Sequence, residues 1–313
     1  MEKMNGLRLS FSPHIRDNSS VTKVMLDVII ALVPAAAAGV YFFGVNALIT
    51  ILVSIASAVA VEALIQFLCK RKITVSDLSA VVTGLLLALN LPPNVPIYIP
   101  IVGATFAIAI VKQCFGGLGH NFMNPALAAR AVLMVAWPVA MMTWYLPGAV
   151  DTICSATPMA ILKSGDLASM PSILDMFLGN TAGCIGETSA LALLIGGIYL
   201  VARKVISPRI PLCYLGTVAV LACIVDVNTV VYHLLGGGLM LGAIFMATDY
   251  VSSPVTKGAQ IIYGIGCGVV TIVIRVFGGY AEGVSFAILF MNLVAPLLEK
   301  MLKPKVLGEV REK

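Results

Sequence analysis

The chain has 313 residues, is 59% hydrophobic and only 11% charged, and carries a formal net charge of +5, with a mean hydropathy of +1.00. Soluble domains carry about 25% charged residues, so the composition excludes an ordinary soluble domain. Apolar runs of near-spanning length recur almost throughout, without the short alternating segments of a membrane barrel. The predicted fold class is therefore an all-α polytopic membrane protein. No Gly-rich phosphate loop or interleaving of basic and aromatic residues points to nucleotides or nucleic acid.

Residues 1–23, MEKMNGLRLSFSPHIRDNSSVTK, are polar and basic and lack a short apolar core followed by a small-residue cleavage site. They read as a cytoplasmic segment rather than a cleavable signal. Five apolar segments follow, at 24–43, 46–69, 77–91, 97–115 and 124–141, and define a first repeat over 24–141. Residues 142–186 form the one long stretch that does not read as membrane. A second repeat, 187–301, has segments at 187–202, 211–228, 231–249, 260–277 and 283–301, and residues 302–313 form a tail. Several segments are shorter than the roughly 20 residues of a straight spanning helix, which predicts broken or tilted helices.

Charge orients these segments. Lys3, Arg8, Arg16, Lys23, Lys70, Arg71, Lys72, Lys112, Arg203, Lys204, Arg209, Lys257 and the basic tail all fall on one side of a ten-span reading. The opposite loops are almost free of Lys and Arg; 142–186 has only Lys163 against Asp151, Asp166 and Asp175. The positive-inside rule then places both termini in the cytoplasm and 142–186 outside.

The two halves resemble each other weakly. Thr83–Asn94 can be laid on Leu241–Pro254, and Phe115–Asn121 on Phe277–Gly283. An odd number of spans per half requires the halves to be inverted. Pro and Gly breaks repeated in both halves predict backbone groups that need protein, water or a ligand as partners.

Few charges lie within the segments. Glu62 is the deepest acid and is expected to hydrogen-bond a neighbouring helix rather than bind an ion, while Asp27, Asp226, Arg275 and Glu282 fall at predicted ends, where solvated or helix-terminal roles are expected. Arg130 lies within a span about two turns from its cytoplasmic end, where it either snorkels or holds a ligand. The seven cysteines show no CxxC pair, so neither a metal site nor a disulfide framework is expected.

Within the outer loop lies DTICSATPMA, Asp151–Ala160. Thr157 before Pro158 has the form of an N-cap, although Ala160 stands where a capping box would have Glu or Gln. A cap leaves Asp151 and the small residues Ser155 and Ala156 unexplained. Asp151–Thr157 resembles the flavinylation motif of the Rnf and Na+-pumping NADH:quinone reductase families, an acid followed by a hydroxyl position (Cys154 here), a small residue, Ala and a terminal Thr or Ser. The resemblance implies FMN joined through its phosphate to Thr157 by a flavin transferase, with Asp151 as a recognition element. Ser155 and Ala156 would let the enzyme close over the chain, and Pro158 favours an extended Thr157. An alcohol is a weak nucleophile, so activation falls to the transferase. Thr157 is expected to be presented rather than buried.

Gly116–Leu133, Gly186–Gly197, Met246–Thr256 and Glu282–Glu299 resemble segments of the Rnf D subunit and its counterpart, the B subunit of the Na+-pumping enzyme. That resemblance implies a ten-helix, inverted-repeat core related to urea channels. It also implies an electron-relaying component of an ion-translocating ferredoxin:NAD+ oxidoreductase in a bacterial inner membrane, with the A, B, C, E and G subunits of the Rnf complex as partners. Family members carry a non-covalent riboflavin too, which directs attention to Asn121, Asn124, Arg130 and Asp249. The competing expectations are a channel or transporter of the urea-channel type without a redox cofactor, and an assembly scaffold.

Overall fold

The computed structural model describes residues 20–147, 156–165, 169–279 and 282–302; Asp151 and Ser155 lie outside them. The described residues are mostly helical and contain no extended strand. The helices are α1 (Val21–Phe43), α2 (Val45–Leu68), α3 (Ser79–Leu89), α4 (Tyr98–Thr105), α5 (Pro125–Ala136), α6 (Pro138–Met141), α7 (Pro158–Ser164), α8 (Ile173–Leu178), α9 (Ala190–Ala202), α10 (Arg209–Val225), α11 (Val230–Leu235), α12 (Leu239–Leu241), α13 (Lys257–Phe277) and α14 (Val284–Met301). Four of them, α1, α2, α13 and α14, are long and apolar enough to cross a bilayer. Val227–Leu235 and Leu239–Met246 make a fifth candidate, bent by 62° at a short break. Every apolar segment read from the sequence coincides with helix, but α3, α5, α9 and α10 are shorter than a straight span.

Two stretches leave the α-helical pattern. Phe106–Gln113 continues α4 as a π-helix, and Gly242–Met246 continues α12 in the same way. Their widened turns are visible in Cys114 N donating to Ala109 O at 3.1 Å and Ala247 N donating to Gly242 O at 2.7 Å. Such turns take one extra residue and shift the direction of every side chain that follows.

Small residues let the helices approach closely, as packing without a water-driven hydrophobic force requires. A Cβ on Gly84 would lie 2.9 Å from Ser54 O across α2 and α3, and Ser54 Oγ donates to Gly84 O at 2.7 Å. A Cβ on Gly196 of α9 would lie 2.1 Å from Ala31 O of α1. Gly268 makes the corresponding approach to Thr217 between α13 and α10, at 2.6 Å from its Cβ.

The broken helix ends are satisfied from within the protein. At α3, Gly186 N donates to Leu89 O at 2.8 Å and Ile185 N to Leu91 O at 3.0 Å. Residues 181–189 are accordingly buried, so the end of the predicted outer loop packs among helix ends, and α9 starts at Ala190 under a Ser189 cap rather than at 187. Arg275 fills the break after α11, donating to His233 O at 2.6 Å, Gly236 O at 2.9 Å and Gly237 O at 3.4 Å. It is 4% exposed, so of the solvated and helix-terminal roles expected at a segment end the structure has the second, in the last turn of α13. The freed carbonyls of a broken helix need a donor, and a guanidinium offers several in one plane.

Gly196→Ala should lower stability by about 1–3 kcal/mol through overpacking, seen as a lower thermal unfolding midpoint in detergent. Gly216→Ala, with nothing within 4 Å of the added methyl, should leave the midpoint unchanged or raise it slightly.

Candidate functional site

Arg130 projects from α5 to a point where several helix ends converge. Its Nη1 donates to Asn90 Oδ1 at 2.9 Å and Ser285 Oγ at 3.3 Å; its Nη2 donates to Glu282 Oε2 at 2.5 Å and Cys184 Sγ at 3.4 Å. At 4% exposure it does not snorkel, and four guanidinium hydrogen bonds are committed to protein groups. Glu282, expected at a solvated end, is instead its ion-pair partner, with the side chain 11% exposed. Beside them lies Glu187, whose backbone N donates to Cys184 O at 3.1 Å. Cys184, Glu187 and Glu282 each place a ligand-capable atom within 4.8 Å of the other two. Sequence spacing conceals this group, because its members come from the loop before α9 and the approach to α14. The one signal of it in the sequence is that Gly186–Gly197 and Glu282–Glu299 both carry family resemblance.

A second buried ion pair joins α2 to the π-helical end of α4. Lys112 Nζ reaches Glu62 Oε1 at 2.9 Å, Glu62 Oε2 at 2.8 Å and Ser79 Oγ at 2.6 Å, so all three ammonium donors are used. Gln66 and Gln113 also donate to Glu62 Oε1, at 3.2 Å and 3.0 Å. Glu62 thus bonds to a neighbouring helix, as its depth suggested. Its cationic partner is not foreseeable from spacing, because Lys112 reads in the sequence as a flanking positive charge.

Two cavities contain the predicted site residues. The first, of about 90 Å³, is lined by Asn121, Asn124 and Asp249 together with Ser79, Thr83 and Lys112. The fold therefore unites three of the four residues expected around a second flavin, while Arg130 lies elsewhere. Asn124 is already engaged: Oδ1 caps α5 by accepting from Ala126 N at 3.0 Å and Leu127 N at 3.3 Å, and Nδ2 donates to Met246 O at 3.3 Å. Asp249 accepts from Ser252 Oγ at 2.7 Å. Small-molecule pockets start at about 300 Å³, so a tricyclic ring enters this cavity only if its walls part.

The second cavity, of about 550 Å³, is lined by Ala156, Thr157, Trp144, Met134, Lys163 and Glu282, among others. Its volume lies in the range of cofactor pockets, roughly 300–1,000 Å³. Thr157 is extended, with φ −66° and ψ 154°, as the residue before Pro158 should be. Its Oγ1 accepts from Ala160 N at 3.2 Å, capping α7. The capping geometry is therefore real, and the expectation of a presented hydroxyl is corrected: Thr157 is 2% exposed. Pro158 is buried beside it. The cap draws the hydroxyl towards the first turn of α7, and this turns Thr157 inward against the cavity.

These features define a polytopic helical membrane protein whose broken helices meet around buried ion pairs and whose larger cavity borders a threonine-bearing loop. The chain belongs to the NQR2, RnfD, RnfE family, whose model matches residues 8–308. It is 55% identical over 316 residues to the D subunit of the Na(+)-translocating ferredoxin:NAD(+) oxidoreductase complex of Acetobacterium woodii, covering 100% of this chain and 98% of the relative. It is 44% identical to the D subunit of the proton-translocating ferredoxin:NAD(+) oxidoreductase complex of Clostridium ljungdahlii, over 99% of this chain and 98% of the relative. To the D subunit of the ion-translocating oxidoreductase complex of an Escherichia coli strain it is 35% identical, over 96% and 98% of the two chains.

Lys112→Met should leave Glu62 buried without its cation and cost about 3–5 kcal/mol. Glu62→Gln combined with Lys112→Met should recover most of that loss, as measured by unfolding midpoints of the two variants in the same detergent.

Proposed function

We propose that this chain is the flavin-carrying membrane subunit of an ion-translocating ferredoxin:NAD+ oxidoreductase complex and relays electrons through FMN esterified to Thr157. The names of its relatives support the complex. The observation that carries the flavin reading is that the Asp151–Thr157 motif ends at a hydroxyl bordering a cavity of flavin size. In this reading the chain spans the membrane ten times as two inverted five-helix repeats. Both termini are cytoplasmic and the 142–186 loop lies outside the inner membrane. Its partners are the A, B, C, E and G subunits, the lipid bilayer and, during maturation, a flavin transferase.

Bound FMN would supply one- and two-electron chemistry, while the protein sets position, solvent access and potential. Thr157 anchors the phosphate and takes no part in turnover. Trp144 and Met134 give the cavity apolar surface for a ring, and Ala156 leaves room beside the ester. Lys163 brings a cation to the same cavity, and its Nζ donates to Gly278 O. Esterification replaces only the hydroxyl proton, so Thr157 Oγ1 retains a lone pair for Ala160 N and the cap survives modification. Because the unmodified threonine is buried, the transferase must act before the first turn of α7 docks, or lift that turn away. Asn121, Asn124 and Asp249 provide polar groups for a non-covalent riboflavin once their cavity opens, and Arg130 acts in the neighbouring ion-pair cluster.

Thr157→Ala should abolish flavin fluorescence of the denatured protein band and remove the FMN phosphoryl mass from the peptide holding residues 151–163. Thr157→Ser should keep both. A fluorescent Ala variant would place the attachment elsewhere, and an unmodified native peptide would leave a channel or scaffold. The lost cap should cost the Ala variant only about 1 kcal/mol, so insertion into the membrane should persist.

A further inference from the structure

We propose that Glu187 and Glu282 form a carboxylate pair that holds one exchangeable monovalent cation, a proton or a sodium ion, beside the Arg130 guanidinium. The site stands on geometry independent of the flavin; only the choice of these two cations rests on the ion-translocating reading.

Glu187 is 8% exposed and Cys184 1%, and the Glu282 side chain is 11% exposed. Two carboxylates this close repel by several kcal/mol even at an effective dielectric constant near 20, and each loses hydration on burial. Arg130 answers only one of them. Its ion pair is with Glu282, and its other hydrogen bonds go to Asn90, Ser285 and Cys184. Glu187 forms no ion pair among the described residues. One negative charge of the triad is therefore not neutralised within it.

The other charged and titratable groups in this region form no ion pair or side-chain hydrogen bond with Glu187 among the described residues. Arg275 of α13 gives three guanidinium hydrogen bonds to the carbonyls of the α11 break while its charge acts on Glu187 and Glu282 from a distance, and His233 of α11 supplies one of those carbonyls from its backbone, its imidazole Nδ1 being buried without a hydrogen-bond partner among the described residues. Cys184 Sγ accepts from Arg130 Nη2 at 3.4 Å. After these bonds, Glu187 Oε2 and Glu282 Oε1 remain buried with no hydrogen-bond partner. A buried carboxylate oxygen without a donor is costly, and both belong to the carboxylate pair in which Arg130 bonds only Glu282. A single positive charge relieves both deficits. A divalent metal would have to share Glu282 and Cys184 with a guanidinium that already holds them, so the chemistry favours a monovalent cation.

Space and access agree with exchange. A Cβ on Gly183 would lie 3.5 Å from Glu187 Cδ, and one on Gly238 would lie 3.8 Å away, so glycines border the carboxylate on two sides. Gly238 has φ +66°, a conformation that L side chains rarely adopt. Glu282 also lines the 550 Å³ cavity beside Thr157, which gives the pair a path to open space.

The test uses the whole complex in native membranes and dicyclohexylcarbodiimide, which modifies protonated buried carboxyls, with adducts located by peptide mass spectrometry. Labelling of Glu187 or Glu282 should fall several-fold as pH rises. If sodium is the cation, sodium at fixed pH should protect several-fold; if a proton is, sodium should have no effect. Infrared difference spectra should show a carboxylic C=O band that Glu187→Gln removes. Labelling indifferent to both pH and sodium would reveal a fixed structural acid and overturn the proposal. Absence of both the adduct and the infrared band, with and without sodium, would overturn it as well. Flavin fluorescence of the same Glu187→Gln band reports the covalent cofactor separately, so the two readings fail independently.

Discussion

The guanidinium of Arg130 is the tie on which the centre of the molecule depends. From α5 it reaches Asn90 at the end of α3, Ser285 in the first turn of α14, Glu282 before that turn, and Cys184 in the buried loop before α9. Three parts of the chain far apart in sequence share the one planar cation that α5 supplies. A hydrophobic side chain of the same size would pack against them, but it would leave the Asn90 amide oxygen and the Glu282 carboxylate without donors. In a protein surrounded by lipid, those groups have no water to fall back on. The broken helices can therefore end inside the fold because Arg130, Arg275 and the Asn124 cap meet their exposed polar groups.

The same logic separates the two buried ion pairs. Around Glu62 and Lys112 every ammonium donor is used, and the glutamines add further bonds to the carboxylate. A network satisfied in this way locks helices together. Around Arg130 the balance is incomplete, with Glu187 Oε2 and Glu282 Oε1 unpartnered. One centre is built to stay as it is, and the other has the makings of a site.

Much of the architecture is legible in the sequence because hydropathy and Pro/Gly punctuation respond to the bilayer directly. The apolar segments fall on helices, and Asn124–Pro125 and Thr157–Pro158 both open helices as caps. What stays hidden depends on distance in the fold. Lys112 reads as a flanking charge until the π-helical turn of Phe106–Gln113 brings it to Glu62. Glu282 and Arg275 read as solvated ends until a buried loop and a helix break close over them. Thr157 is recognisable by motif, but its burial is not, since the burial comes from the docking of a seven-residue helix that local sequence does not foretell. Periodicity reports which face of a helix is apolar. It does not report which polar exception will meet another.

The wide turn at Phe106–Gln113 has an evolutionary corollary. A π segment carries one residue more than an α-helix of the same span, so removing a single amino acid there could restore ordinary winding with little change in helix length. The same deletion in the regular turns of α4 before it would instead rotate everything beyond by roughly 100°, swinging the Lys112 ammonium away from the acid it neutralises. The number of residues ahead of Lys112 is therefore under constraint. Residue count and the cationic side chain at Lys112 together are what natural selection should guard here.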